Sequence, residues 1–128
     1  MTNNRNPIGW IEIPVTDLSR AAKFYETVFQ FDVQKVQFGD ILMGWLPSHT
    51  ESSGASGALV QYDKAYKPSD EYGPVVYFSC DDLDSELSRV EDAGGNILQK
   101  KTQISENFGF MALATDTEGN RIAFHSRQ

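Results

Sequence analysis

The feature that most constrains the fold is a step from β-strand to capped helix that occurs twice in the sequence. In the first copy, an alternating run ends at Val15 and is followed by Asp17, whose carboxylate suits the N-cap of a helix. Apolar residues then recur at steps of three and four as far as Phe29, which predicts an amphipathic helix. In the second copy, Asp82 follows an apolar strand over 75–80, 65 positions after Asp17. This internal repeat predicts two modules of similar structure.

Each half of the sequence reads as one strand, one helix and three further strands. The first module covers about residues 8–62 and the second about 73–126, with a polar linker over 63–72. Residues 1–128 are expected to form a single domain, long enough to bury a hydrophobic core. The pattern predicts an α+β fold in which the two βαβββ modules form a curved mixed sheet that encloses a cavity, with the helices outside. A polar loop over 47–56 is long enough that it could lie over this cavity, but the sequence does not indicate its role.

The charge of the chain restricts its partners. There are 11 Lys and Arg against 18 Asp and Glu, and the net charge is −7. Neither nucleic acid nor an anionic membrane surface is expected as a partner, because both require a basic binding face. Residues 1–7 contain no apolar signal core and no run is long enough to cross a membrane. The single cysteine, Cys80, fits a reducing cytoplasm, and its apolar strand predicts a buried, inert thiol.

Short motifs recur in a defined order along both halves. The first half contains EIPVTDL at 12–18, AKFY at 22–25 and VF at 28–29; the second contains DDL at 81–83, AGG at 93–95 and DTEGNRI at 116–122. In order and spacing these motifs resemble the glyoxalase/bleomycin resistance protein/extradiol dioxygenase (vicinal oxygen chelate) superfamily. The resemblance implies paired βαβββ modules, usually in a homodimer, with a small-molecule site inside the concave sheet.

The resemblance also implies four strand positions at which metal-dependent members place His or Glu. In this sequence the positions fall on Trp10, on Leu59 or Gln61, on Val75 and on Ala123. Trp, Val and Ala side chains cannot coordinate a cation, and Gln is at best a weak neutral ligand. We therefore expect that the usual metal site is missing and that no cofactor is bound, with an atypical divalent metal site as the alternative.

Six side chains are candidates for a ligand site, because alternation places each on the cavity-facing side of its strand. They are Trp10, Glu12, Tyr77, Ser79, Arg121 and His125. An aromatic wall with a few polar groups is typical of a small-molecule pocket. Alternatively, Trp10 and Tyr77 fill a collapsed cavity, and His125 is a solvated strand end. Three tyrosines in or beside the linker either line the pocket mouth or the subunit seam, or are exposed: Tyr62, Tyr66 and Tyr72.

Glu12 is the candidate for chemistry. We expect it to point into the cavity beside Trp10 and to be partly desolvated there, where a carboxylate can act as a general acid or base. The alternative is a structural carboxylate that accepts hydrogen bonds from backbone or tyrosine donors.

Taken with the resemblance, the sequence predicts a cytoplasmic protein that binds a small molecule without the usual metal, and the resemblance implies a homodimer. The alternative is an enzyme related to lactoylglutathione lyase or to the dioxygenases, with an atypical site or with Glu12 alone as the proton-transfer group. A third reading is an interaction module whose sheet face or 47–56 loop meets a protein partner.

Overall fold

The computed structural model describes residues 5–128, and its elements follow the predicted order. The first module consists of β1 (Trp10–Pro14), α1 (Leu18–Phe29), β2 (Gln34–Phe38), β3 (Ile41–Trp45) and β4 (Ser56–Gln61). The second consists of β5 (Val76–Ser79), α2 (Leu83–Val90), β6 (Asn96–Ser105), β7 (Gly109–Thr115) and β8 (Arg121–Ser126). The prediction of two βαβββ units is therefore confirmed.

Each module forms its own four-stranded mixed sheet. The strand orders are β1-β4-β3-β2 and β5-β8-β7-β6, which are the same order in the two modules. In each sheet the first and last strands of the module pair in parallel, and the remaining pairs are antiparallel. The α+β class is confirmed. The sheets are not closed into a barrel, and no hydrogen-bonded ladder joins them within residues 5–128.

The two modules share one hydrophobic core on the helix side of both sheets. The apolar stripes of α1 and α2 pack into a single buried cluster with residues from β1, β4, β7 and β8. Phe29 of α1 reaches the second module, where its ring stacks on Phe78 with centroids 4.4 Å apart and on Phe124 at 5.6 Å. The modules are therefore joined through the packing of their helices.

Both helices begin at the predicted caps. The Asp17 carboxylate accepts a hydrogen bond from the backbone N–H of Arg20 at 3.0 Å, and Asp82 accepts one from Asp84 at 3.1 Å. The 12 residues of α1 end where Gln30 adopts a left-handed conformation with φ 57°. Neither helix of the described residues is long and apolar enough to cross a membrane.

The turn over 116–120, hereafter the inter-module turn, ties the second module to the first. The buried Asp116 carboxylate accepts the Tyr25 hydroxyl of α1 at 2.6 Å, and it also accepts the backbone N–H groups of Glu118 and Asn120. The Asn120 amide donates to the Pro14 carbonyl at 2.7 Å. Burial and the charge of Asp116 raise the pKa of Tyr25 well above its usual value, so the hydroxyl stays a donor.

Glu118 completes the inter-module turn by capping the start of α1. One of its oxygens accepts the backbone N–H groups of Thr16 and Asp17 at 2.9 Å, and the other accepts the Arg20 guanidinium at 2.8 Å. Burial alone would raise the pKa of this carboxyl, but hydrogen bonds from Arg20, Asp17, Thr117 and Thr16 outweigh it and lower the pKa to about 2. The end of β1 is thereby held beside the start of β8.

Candidate functional site

Strand alternation separates the core face of each sheet from its open face. In β1, Ile11 and Ile13 pack toward the core, while Trp10 and Glu12 lie on the open face. Trp10 keeps 47% of its surface exposed, and Tyr77 of β5 keeps 53%. Aromatic side chains that remain this exposed are candidates for contact with another molecule.

A cleft of about 680 Å³ opens where the two modules meet. One wall is β1, with the side chains of Trp10 and Glu12. The other wall comes from the second module, with Tyr77 of β5 and Arg121 of β8. The cleft therefore brings together four of the six side chains that the sequence analysis singled out.

The linker between the modules supplies the third wall. Lys67, Ser69 and Tyr72 line the cleft, as does the 73–75 segment that follows them. Sequence reasoning included Tyr72 only as one of several options and did not include Lys67 or Ser69. Their polar, Pro-containing surroundings read as a connector, and nothing local in the sequence indicates that the connector folds back onto β1.

Ser79 and His125 do not line the cleft. They are neighbours in the parallel β5–β8 ladder, on the same open face but farther along the strands. The His125 Nε2 atom lies 2.6 Å from the Phe108 carbonyl oxygen, so the ring is engaged with the β6–β7 connection.

The expected positions in β4 lie on the wrong face. Leu59 is buried in the core, and the Gln61 side chain accepts a hydrogen bond from the Leu18 N–H at the start of α1, at 2.7 Å. The parallel register pairs Ala58 with Glu12, so Ala58 is the β4 residue that shares the open face with Glu12. The prediction that Leu59 or Gln61 faces the cavity was wrong, because β4 has the opposite phase.

Glu12 is exposed, and the expectation that it is partly desolvated was wrong. Its Oε1 atom accepts the Tyr66 hydroxyl at 2.5 Å, and its Oε2 atom lies 3.4 Å from the Trp10 indole nitrogen, which donates to it. The hydrogen bond to Glu12 and partial burial raise the pKa of Tyr66. This hydrogen bond agrees with the alternative interpretation of Glu12, in which it is a structural carboxylate that accepts a hydrogen bond from a tyrosine.

The Arg121 side chain lines the cleft and forms no ion pair within the described part of the chain. Its Nε atom is buried and has no hydrogen-bond partner. The backbone N–H of the same residue donates to the Ser69 carbonyl at 3.4 Å, which attaches the linker to β8. The guanidinium is thus carried on β8 in the wall of the cleft, and its Nε atom has no acceptor.

The described residues contain no evident metal-binding group. Within residues 5–128 no group of three His, Cys, Asp or Glu side chains is close enough to hold a metal ion. At the strand positions that the sequence resemblance implied, Trp10 offers only an N–H donor, and Val75 and Ala123 offer no ligand atom.

Two other features named from the sequence lie apart from the cleft. Loop 47–56 surrounds a separate hollow of about 220 Å³ beside Gly9 and supplies no residue to the cleft lining. The Cys80 thiol is partly buried, and burial together with the nearby Glu86 carboxylate raises its pKa to about 12. A thiol with that pKa is protonated at neutral pH and is a poor nucleophile.

The amino-acid sequence relates the chain to known proteins. A family model described as "Glyoxalase/Bleomycin resistance protein/Dioxygenase superfamily" matches residues 7–124. A glyoxylase-like domain-containing protein of Didymella fabae is 30% identical over an alignment of 123 residues, and the match covers 94% of this chain and 93% of that protein.

Solved structures of similar fold differ in how much of their length the chain covers. Glyoxalase I of Zea mays is matched with a TM-score of 0.72 and 18% identity over 99% of this chain but only 48% of its own. TnmS3, an antibiotic binding protein from Streptomyces sp. CB03234, is matched with a TM-score of 0.70 and 18% identity over 99% of this chain and all of its own, 100%. At these identities the likeness shows a shared fold.

Proposed function

The chain belongs to the glyoxalase/bleomycin resistance protein/dioxygenase superfamily, and we propose that it binds an apolar or aromatic small molecule in the inter-module cleft without a metal ion. The observation that carries the proposal is the cleft itself. At about 680 Å³ it is within the size range of sites for small organic ligands. Its walls combine exposed aromatic rings with a few polar groups, which is the composition of such sites.

The aromatic side chains give the cleft its capacity to bind. Trp10 and Tyr77 stand on opposite walls, and Trp10 is held in place by an edge-on contact with Trp45 at 6.5 Å and by its hydrogen bond to Glu12. A ligand seated between the two walls would bury aromatic surface that is now in contact with water. Burying a side chain of this size contributes about 1.5–3 kcal/mol.

The full-length match to an antibiotic binding protein supports a binding role for a domain of this size. The match to glyoxalase I spans about half of that enzyme, 48% of its chain. A binding role without a metal is also supported by the donor chemistry of the cleft, where Trp10 and Val75 occupy positions that need a ligand atom.

We also propose that the protein is a cytoplasmic homodimer. The open face of the first sheet carries Phe38 and Trp45 next to Trp10, with ring centroids 6.5 Å apart in each contact. Phe38 and Trp45 are both exposed, and they lie outside the cleft lining. A contiguous aromatic patch on an uncovered sheet face favours association with a second copy.

A second candidate function is an enzyme with an atypical site, in which Glu12 moves a proton. The observation that favours it is the hydrogen bond that the Tyr66 hydroxyl donates to Glu12, whose side chain lines the cleft. A carboxylate and a phenol in contact are a possible general acid–base pair. Turnover of a glutathione hemithioacetal that is lost in Glu12→Gln but kept in an exposed control, Glu51→Gln, would favour this function over binding alone.

The binding proposal is tested with a neutral apolar probe, N-phenylnaphthylamine, whose fluorescence rises on transfer to an apolar site. We expect saturable binding to the wild type and a loss of affinity of about tenfold in Trp10→Ala. Phe108→Ala is the matched control, because Phe108 is 63% exposed and does not line the cleft. Equal affinity in Trp10→Ala and Phe108→Ala, or no saturable binding to the wild type, would overturn the proposal.

A further inference from the structure

We infer that Arg121 makes the cleft selective for apolar molecules that carry a carboxylate. This inference rests on the proposed binding function and adds the chemical class of the ligand. Its starting point is the Arg121 guanidinium, whose Nε atom is buried in the wall of the cleft with no acceptor. Buried polar atoms in folded proteins are nearly always paired, so this guanidinium is unusual. No ion pair of the described residues includes it, and Arg121 lines the cleft, so its terminal N–H groups are available to an oxygen atom of a ligand.

Three other arginines of the described chain differ from Arg121 because their side chains have acceptors. Arg20 donates to Glu118 and Thr16. Arg89 donates to the Val28 carbonyl, and Arg127 donates to the Asn107 carbonyl. The chain is also acidic, with a net charge of −7, so acceptors for a guanidinium are plentiful elsewhere on the molecule. Arg121 lies where none of them reaches it within residues 5–128.

The other charged groups of the cleft are already engaged. Glu12 accepts hydrogen bonds from Tyr66 and Trp10 and forms no ion pair with Arg121. The Lys67 ammonium donates to the Asp63 carbonyl at 2.5 Å. The lining therefore carries two cations and one carboxylate, and its local excess charge is positive in a protein that is otherwise negative. This arrangement favours an anion at Arg121.

A carboxylate is the group that matches this site. The guanidinium is planar and presents parallel N–H donors that fit the two oxygens of a carboxylate. The surrounding walls, including Pro14, Val75 and Ile122, are apolar, so water competes poorly for the pair. A ligand with an aromatic or aliphatic body would place that body against Trp10 and Tyr77 while its carboxylate pairs with Arg121.

The test compares naphthoate with naphthamide, which share one aromatic body and differ in charge. Each compound displaces bound N-phenylnaphthylamine from the wild type, from Arg121→Gln and from Lys23→Gln. Lys23 is exposed on α1, so Lys23→Gln removes a positive charge away from the cleft and controls for net charge. Arg121→Lys is included because it keeps the positive charge but lacks the parallel N–H donors of the guanidinium.

We expect naphthoate to compete about tenfold better than naphthamide in the wild type and in Lys23→Gln. In Arg121→Gln the preference disappears while the probe still binds, and Arg121→Lys retains part of it. A preference that survives in Arg121→Gln, or a wild type that does not distinguish the two compounds, would overturn this inference and leave the cleft as a binding site. If the probe does not bind the wild type, the proposed function fails first and the inference fails with it.

Discussion

The inter-module turn and the cleft are adjacent in space and opposite in character. In the inter-module turn, Asp116 and Glu118 are surrounded by donors from both modules. In the cleft, a few residues farther along the chain, Arg121 has no acceptor for its Nε atom, and the Trp10 ring is 47% exposed. A region whose polar groups are satisfied internally stabilises the fold, whereas a region with unused donors and exposed rings has its partners outside the chain.

The largest expected effect is on stability, from removal of the Asp116 carboxylate. Asp116→Ala leaves the buried Tyr25 hydroxyl and the N–H groups of the turn without an acceptor, so we expect a loss of about 3 kcal/mol in the free energy of unfolding. Urea denaturation measures it. Asp32→Ala, at an exposed position, is the control and should change stability by less than about 0.5 kcal/mol. Similar losses in both variants would contradict a structural role for the turn.

Glu118→Gln should have a smaller effect, and that effect should depend on pH. The carboxyl pKa is lowered from 4.5 to about 2 in the folded protein, so its ionised form stabilises the fold. That contribution is fully present above the unfolded value and is lost as the pH falls toward 2. We expect the variant to lose about 2 kcal/mol at pH 7. The difference from wild type should shrink between pH 4.5 and pH 2, and a pH-independent difference would be evidence against this account.

Arg121→Met should not lower the free energy of unfolding, in contrast to the two substitutions in the inter-module turn. The variant replaces a buried, unpaired donor with an apolar side chain of similar length, so stability should stay the same or rise by up to about 1 kcal/mol. Urea denaturation at pH 7, beside Asp116→Ala, measures both on one scale. A loss as large as that of Asp116→Ala would mean that Arg121 has a structural partner and would remove the contrast between the two regions.

The smallest expected change in stability is that of Tyr66→Phe. The variant removes the donor to Glu12, but Glu12 is exposed and water can replace the lost hydroxyl. We expect a change of less than about 0.5 kcal/mol in the free energy of unfolding. A substantially larger loss would show that the linker stabilises the fold through this contact. Glu12 would then have a structural role, like the carboxylates of the inter-module turn.

The fold could be predicted because its signals are local. The caps Asp17 and Asp82 and the apolar steps that follow them define each helix within a few neighbouring residues. The repeat then gives the order of the strands. The contacts that join the modules could not be predicted in the same way. Glu118 and Thr16 are 102 positions apart in the sequence, and no local pattern in either segment indicates that they are in contact.

Only part of the candidate site could be predicted, because only some of its residues lie in segments with a clear local pattern. Alternation in β1 was unbroken and placed Trp10 and Glu12 on the open face, where the structure has them. In β4 every residue from 57 to 60 is buried, so the strand does not alternate between an apolar and a polar face. The sequence therefore does not indicate which residues of β4 face the cleft, and the prediction for Gln61 was wrong. Lys67 lies in a connector whose path depends on long-range contacts, which no local pattern encodes.

A backbone amide chemical-shift titration with naphthoate shows whether the cleft is the binding site. We expect saturable shifts that cluster in β1, in residues 67–77 and at the start of β8 around Arg121. Loop 47–56 and the exposed side of α1 should stay unchanged. Shifts that cluster on loop 47–56, or that never saturate, would contradict this expectation.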